Sequence, residues 1–201
     1  MKNNQEEEIK SNVAELSLYS PNCPFNLPLR IRNFEDEKDF NKFIKNCEKM
    51  VRGSLEYKAW RNYITDILSF NSCVITDENI DELSIDIHHH IPSLFIVIKT
   101  ITNKWIENNK EFSSFDISLE TVEVHFKNLI GYIPIIKSLH EKFHNGFLSV
   151  PINSVKGNYV QFLNDYGKYI DPEDSEVIDQ RMSVKESNNN WNKDNYLTYK
   201  G

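Results

Sequence analysis

The sequence predicts an α+β domain, mostly helical, organised around a β-hairpin and a short helix, with an irregular acidic C-terminal tail. Three observations lead there. Apolar residues recur at helical spacing through most of the chain. The period turns strand-like at "CVIT" and "LSIDIHHH". All six histidines (His88, His89, His90, His125, His140 and His144) fall in one region that begins on that hairpin and ends on the short helix.

In order along the chain, residues 1–12 are charged and expected to fray. "VAELSLY" and "FNLPLRIR" read as strands on either side of the Pro-containing "SPNCP". "EDEKDFNKFIKNCEKMV" spaces Phe40, Phe43, Ile44, Cys47 and Val51 as one face of a helix. Gly53 ends it and Ser54 is placed to N-cap the next, which sets Trp60, Ile64 and Leu68 on one stripe. The hairpin follows, joined by the polar "DENIDE". Pro92 opens a helix to about Asn109, and "FDISLETVEVHFKN" is another, capped by Asp116 or Ser118. Gly131 and Pro134 interrupt the chain before "KSLHEKFHNG", a short helix that Asn145-Gly146 ends. "FLSVPIN" is strand-like, and "NYVQFLNDYGKYI" is a last amphipathic helix. The reading is one domain over 1–170: strands and helices at 13–70, then a hairpin-and-helix core at 71–146 with a helical insertion at 92–128. A polar tail at 171–201 is left to wrap a protein partner or remain disordered.

The net charge of −7 over 201 residues argues against a broad nonspecific nucleic-acid surface, because phosphate binding is dominated by Lys and Arg. It leaves room for a small basic cleft or a bound metal. Three cysteines are too few and too scattered for a disulfide framework, so a reducing compartment is expected. The N-terminus has no apolar signal-like run, and "IPSLFIVIKTI" is too short to span a bilayer. The expectation is a cytoplasmic protein with no membrane partner.

On a strand, His88 and His90 point one way and His89 the other. On a helix, His140 and His144 share a face one turn apart. Three imidazole ligands with open positions make a catalytic metal site, and an unliganded neighbour can take a proton near neutral pH. His125, standing alone, reads as a satisfied residue or as support for such a base.

The stretch Cys73-Val74-Ile75-Thr76, then Asp86-Ile87-His88-His89, then "IKSLHEKFH" resembles the HNH, or His-Me finger, endonucleases over residues 54–146. The upstream "SLEYKAWRNYITDIL" is similar to a helix that precedes such hairpins in phage HNH-like proteins. The resemblance implies a ββα-metal motif cutting nucleic acid, DNA above all, with one divalent ion (Mg2+, Mn2+ or Zn2+). It implies His89 as general base and His88, His140 and His144 as metal ligands, with His90, His125 and Asp86 in support. A one-residue slip would make His89 the ligand and His90 the base. The family's middle Asn falls at Gly131 here, and Asn128 is the nearest candidate. Ile136 and Leu139 occupy the family's Cys slots, so its accessory zinc knuckle is absent.

Two other classes compete. An HNH-like scaffold acting as a structural or regulatory subunit of a phage or nucleic-acid-processing complex fits the acidic balance and the missing knuckle. His140-Glu141-x-x-His144 also fits an HExxH zinc protease, with Glu141 as base and an acid such as Glu173 or Glu176 as third ligand.

Overall fold

The computed structural model describes residues 13–15, 28–30, 34–68, 72–75, 85–137, 139–140 and 149–185. It is mostly helical with small antiparallel sheets, an α+β architecture. In order the elements are β1 (Val13–Glu15), β2 (Pro28–Arg30), α1 (Glu37–Gly53), α2 (Leu55–Asn62), β3 (Ile85–Ile91), α3 (Leu94–Glu107), α4 (Ser114–Phe126), β4 (Gly131–Ile136), α5 (Tyr159–Tyr166) and α6 (Pro172–Met182). A π-helical turn, Tyr63–Ile67, extends α2.

The helices start where side chains cap them. Asp36 accepts from the Asp39 N–H at 2.7 Å to open α1. Ser54 accepts from the Tyr57 N–H at 3.1 Å to open α2, as its position predicted. For α3 the cap is Ser93 and not Pro92. For α4 it is Ser113, with Asp116 serving as the third residue of a capping box. The spaced face of α1 is the buried one: Phe43, Ile44, Cys47 and Val51 pack with Trp60, Ile98, Ile101 and Ile117 in a core shared by α1–α4. A second core gathers Ile91, Ile133, Ile135, Leu139 and Ile178.

The hairpin differs from the expected one. β3 pairs antiparallel with β4, with His88 opposite Ile133 and Ile87 opposite Pro134. The run read as an interruption, "GYIPII", is thus a strand, and residues 76–84 lie outside the described residues. Pro134 is tolerated because of its side. Its carbonyl accepts from the Val74 N–H at 2.9 Å, so the position of its missing donor faces away from β3. Tyr132 exchanges both backbone bonds with Lys156 on that same outer side, at 3.0 and 2.9 Å.

The acidic stretch from Asp171 is also not irregular. Pro172 sits in the first turn of α6, Ile178 buries, and Lys99 of α3 binds Asp171, Glu173 and Asp174 at 2.7, 3.0 and 2.8 Å. Residues 186–201 lie outside the described residues. The strand-like "FLSVPIN" contributes a 3-10 turn, Ile152–Ser154, and no strand among its described residues.

Candidate functional site

Strand alternation separates the three consecutive histidines into two groups. His89 turns toward α2 and α4. Its Nε2 lies 2.8 Å from His125 Nε2, and His125 Nδ1 lies 2.6 Å from the Thr121 carbonyl. A carbonyl only accepts, so His125 Nδ1 carries the proton and its Nε2 the lone pair. His89 therefore donates from Nε2 and keeps its own lone pair on Nδ1. The His89 ring stacks on Tyr57 and Trp60, with centroids 5.9 and 5.8 Å away, and His125 meets Trp60 edge-on at 4.8 Å.

Burial holds the His89 pKa well below 6.5, with His125 and Arg52 adding to the effect. Burial likewise brings His125 down to about 4. The pair is neutral at pH 7. A general base works best with a pKa near the working pH, and this environment moves His89 away from it.

On the other face, His88 Nδ1 lies 2.9 Å from His140 Nε2. Asp86 Oδ2 sits 3.3 Å from His140 Nδ1, and Arg61 stands 3.7 Å from the other Asp86 oxygen. Asp86 thus fixes the His140 ring so that Nε2 faces His88, the carboxylate–histidine arrangement that orients metal ligands. Two nitrogens about 2.05 Å from one ion and at right angles are about 2.9 Å apart, against about 3.3 Å for tetrahedral ligands. The His88–His140 spacing is that of a ring N–H···N hydrogen bond, and it would also suit two ligands at right angles on one ion but not two tetrahedral ones.

His90 shares the His88 side, 6.2 Å between ring centroids, and is buried. Burial, then Arg181, brings its pKa down to about 3. His144 and Glu141 lie outside the described residues. Among the described residues, three ligand-type side chains converge at Asp171, Glu173 and Asp174, where Lys99 already supplies the cation. Glu173, a candidate third ligand for a protease, is therefore committed to Lys99.

Two clefts adjoin the histidines. One, of about 280 Å³, is lined by His88, His89 and His140 together with Arg52, Ser93 and Arg181. The other, of about 670 Å³, is lined by Trp60, Tyr63, Leu68, His125, Phe126 and Asn128. Asn128 has a left-handed backbone (φ 55°) just past α4, and its carbonyl accepts from the Asn158 N–H at 2.7 Å. It is brought to His125's cleft and not to that of His88 and His140.

The arginines of the smaller cleft were missed from sequence. Arg181 was legible only as the one basic residue of the stretch 171–184.

A family model described as bacteriophage G278-like virion protein matches residues 3–200. The chain belongs to that family. It is a phage protein, and the family's description names a virion protein. No curated protein and no solved structure matches the chain. Among the described residues no helix of this family member is long and apolar enough to cross a membrane.

Proposed function

We propose that the chain is a structural component of a phage particle, held there by contacts with other virion proteins. The observation that carries this is the match to a virion protein family over nearly the whole chain. An apolar stripe on α4 supports it. Phe115, Leu119 and Phe126 are 63, 62 and 58 % exposed, and at 100° per residue they fall within about 40° of one another. Phe126 also lines the larger cleft, beside exposed Tyr63. Single exposed apolar residues are ordinary, but a stripe that continues into a cleft is a surface for a partner. The test is mass spectrometry of purified particles of the encoding phage, with cross-linking. The chain should be present at reproducible copy number, with cross-links on the exposed side of α4. Its absence from washed particles would refute the reading.

A second reading is favoured by the His88–His140 approach with Asp86 behind it. In this reading the site is HNH-like: His88 and His140, joined by His144, hold one divalent ion above a nucleic-acid phosphate. Such an ion supplies Lewis-acid stabilisation of the phosphate and of the leaving oxygen. His140 stays oriented by Asp86. Plasmid and single-stranded DNA incubated with Mg2+, Mn2+, Zn2+ or EDTA test it. Metal-dependent nicking that disappears in His140→Ala is expected. Complete inactivity with every metal, in a protein that melts cooperatively, removes this reading and leaves the first untouched.

A further inference from the structure

We propose that the smaller histidine cleft is a binding site for a phosphoryl oxyanion, with Arg181 and Arg52 as its cationic ligands. The proposal rests on neither reading above, because it needs no metal and no bond cleavage. The cleft lies between the end of α1, β3, the start of α3 and α6. Its volume, about 280 Å³, is just under the range of roughly 300–1,000 Å³ usual for drug-sized ligands. It suits a small anion or the phosphoryl end of a larger molecule.

The charge inside is opposite to that of the chain. The protein carries −7, yet among the described residues this cleft collects two guanidinium groups against a single carboxylate, Glu48. Glu48 pairs with Arg52 at 3.5 Å, an i,i+4 contact in which the arginine side chain is still half exposed. Pairs of that kind hold a side chain weakly, so Arg52 remains available to a ligand.

Arg181 is the stronger observation. Half-buried, it donates from Nη1 to the His90 carbonyl at 2.6 Å. Among the described residues no carboxylate lies within ion-pair distance of it. Guanidinium has five N–H donors in a planar fork, and a desolvated cation is costly unless an anion meets it. Burial alone pulls its pKa down, with no carboxylate acting against it.

The start of α3 faces the same space. Ser93, Leu94 and Phe95 line the cleft, and the Ser93 hydroxyl takes up the Ile96 N–H at 3.3 Å. The positive end of this 14-residue helix therefore adds to the two arginines. Two full charges plus a helix end match a doubly charged phosphate better than a single carboxylate, and arginine forks recognise phosphate oxygens in pairs.

The test is calorimetric titration of the full chain in EDTA with three probes: inorganic phosphate, a short 5′-phosphorylated DNA strand, and the same strand without the terminal phosphate. Saturable binding of phosphate is expected, and it should persist in EDTA. Arg181→Gln should weaken it by about tenfold or more and Arg52→Gln by less, since charged hydrogen bonds are worth more than neutral ones. Preference for the phosphorylated strand assigns the site to a phosphate monoester. Equal binding of both strands assigns it to the phosphodiester backbone, and either result upholds the site. Should Arg181→Gln fail to fold, Arg52→Gln at the exposed end of α1 carries the test through a several-fold loss. Non-saturable titration, binding abolished by EDTA, or wild-type affinity in the folded variants overturns the proposal.

Discussion

A half-buried polar side chain in this protein is defined by how many donors or acceptors meet it, and Glu120 shows the arithmetic best. It accepts from Lys104 Nζ at 2.6 Å, Trp105 Nε1 at 2.5 Å and Tyr166 Oη at 2.9 Å, linking α3, α4 and α5. Burial alone would raise its pKa, but the three donors outweigh burial and hold it below the usual carboxylate value. Glu120→Ala strands three donors at once and should cost about 2–4 kcal/mol in urea denaturation. A loss under about 1 kcal/mol would mean that water replaces the carboxylate. Nothing in the sequence singles out Glu120, because its donors lie at two distant places in the chain, Lys104-Trp105 and Tyr166. The histidines were legible for the opposite reason: residue type and local spacing alone marked them. Their pairing was half legible. His88 does stand beside His140, but on a hairpin of β3 with β4 and not on the expected one of "CVIT" with "LSIDIHHH". His89 on His125 needed the position of α4, which local pattern does not carry.

At the scale of elements, the capped amphipathic helices were readable and the strand partner was not. Phe43, Ile44, Cys47 and Val51 declare α1, and Ser54 declares the start of α2. β4 hid because Gly131 and Pro134 usually break strands. Both are accommodated by what surrounds them. A Cβ on Gly131 would run into the Ile91 carbonyl oxygen, so only glycine lets β3 and β4 approach there. α6 hid because its charges suggested a solvated tail, while its inward side is supplied by Asp174, Ile178 and Arg181 at helical spacing. Gly157 tests the β4 arrangement. Its φ of +92° disfavours any side chain, and an added Cβ would collide with the Ile130 carbonyl. Gly157→Ala should therefore destabilise by roughly 1–3 kcal/mol or more and speed amide exchange at Tyr132 and Lys156, which bond beside it. Gly53, at the end of α1, has no atom within 4 Å of an added Cβ. Gly53→Ala should instead stabilise by about 0.5–1 kcal/mol. If both variants melt like the parent, the two glycine environments are not as described.

For the molecule as a whole, three of the buried histidines on and beside β3 (His89, His90 and His125) couple folding to pH. His125 and His90 have folded pKa values near 4 and 3, and His89 is held well below 6.5, in each case by burial first. Unfolded, all three would titrate near 6.5. Between those limits the unfolded chain binds protons that the folded one does not. Stability is thus fully present above about pH 6.5 and falls as the pH drops toward the folded values. At about 1.4 kcal/mol per pH unit, His90 and His125 each give up on the order of 2 kcal/mol between pH 6.5 and 5, and His89 adds to the loss in the same direction. Ordinary carboxylates with pKa values near 4 contribute little in that interval, so the histidines can be read there separately. Urea midpoints measured from pH 7.5 to 5 should fall steadily. A His125→Gln variant, with nothing to protonate at that position, should be less stable at pH 7.5 yet lose less on acidification. The groups facing this cluster make the direction firm: Arg52 disfavours protonation of His89 and His125, and Arg181 does the same for His90. A phosphoryl group seated between those two arginines would offset part of that repulsion. Added phosphate should then shift the acid-induced fall to lower pH in the parent and much less in Arg181→Gln. Equal shifts in both proteins would separate the acid response from the arginine cleft.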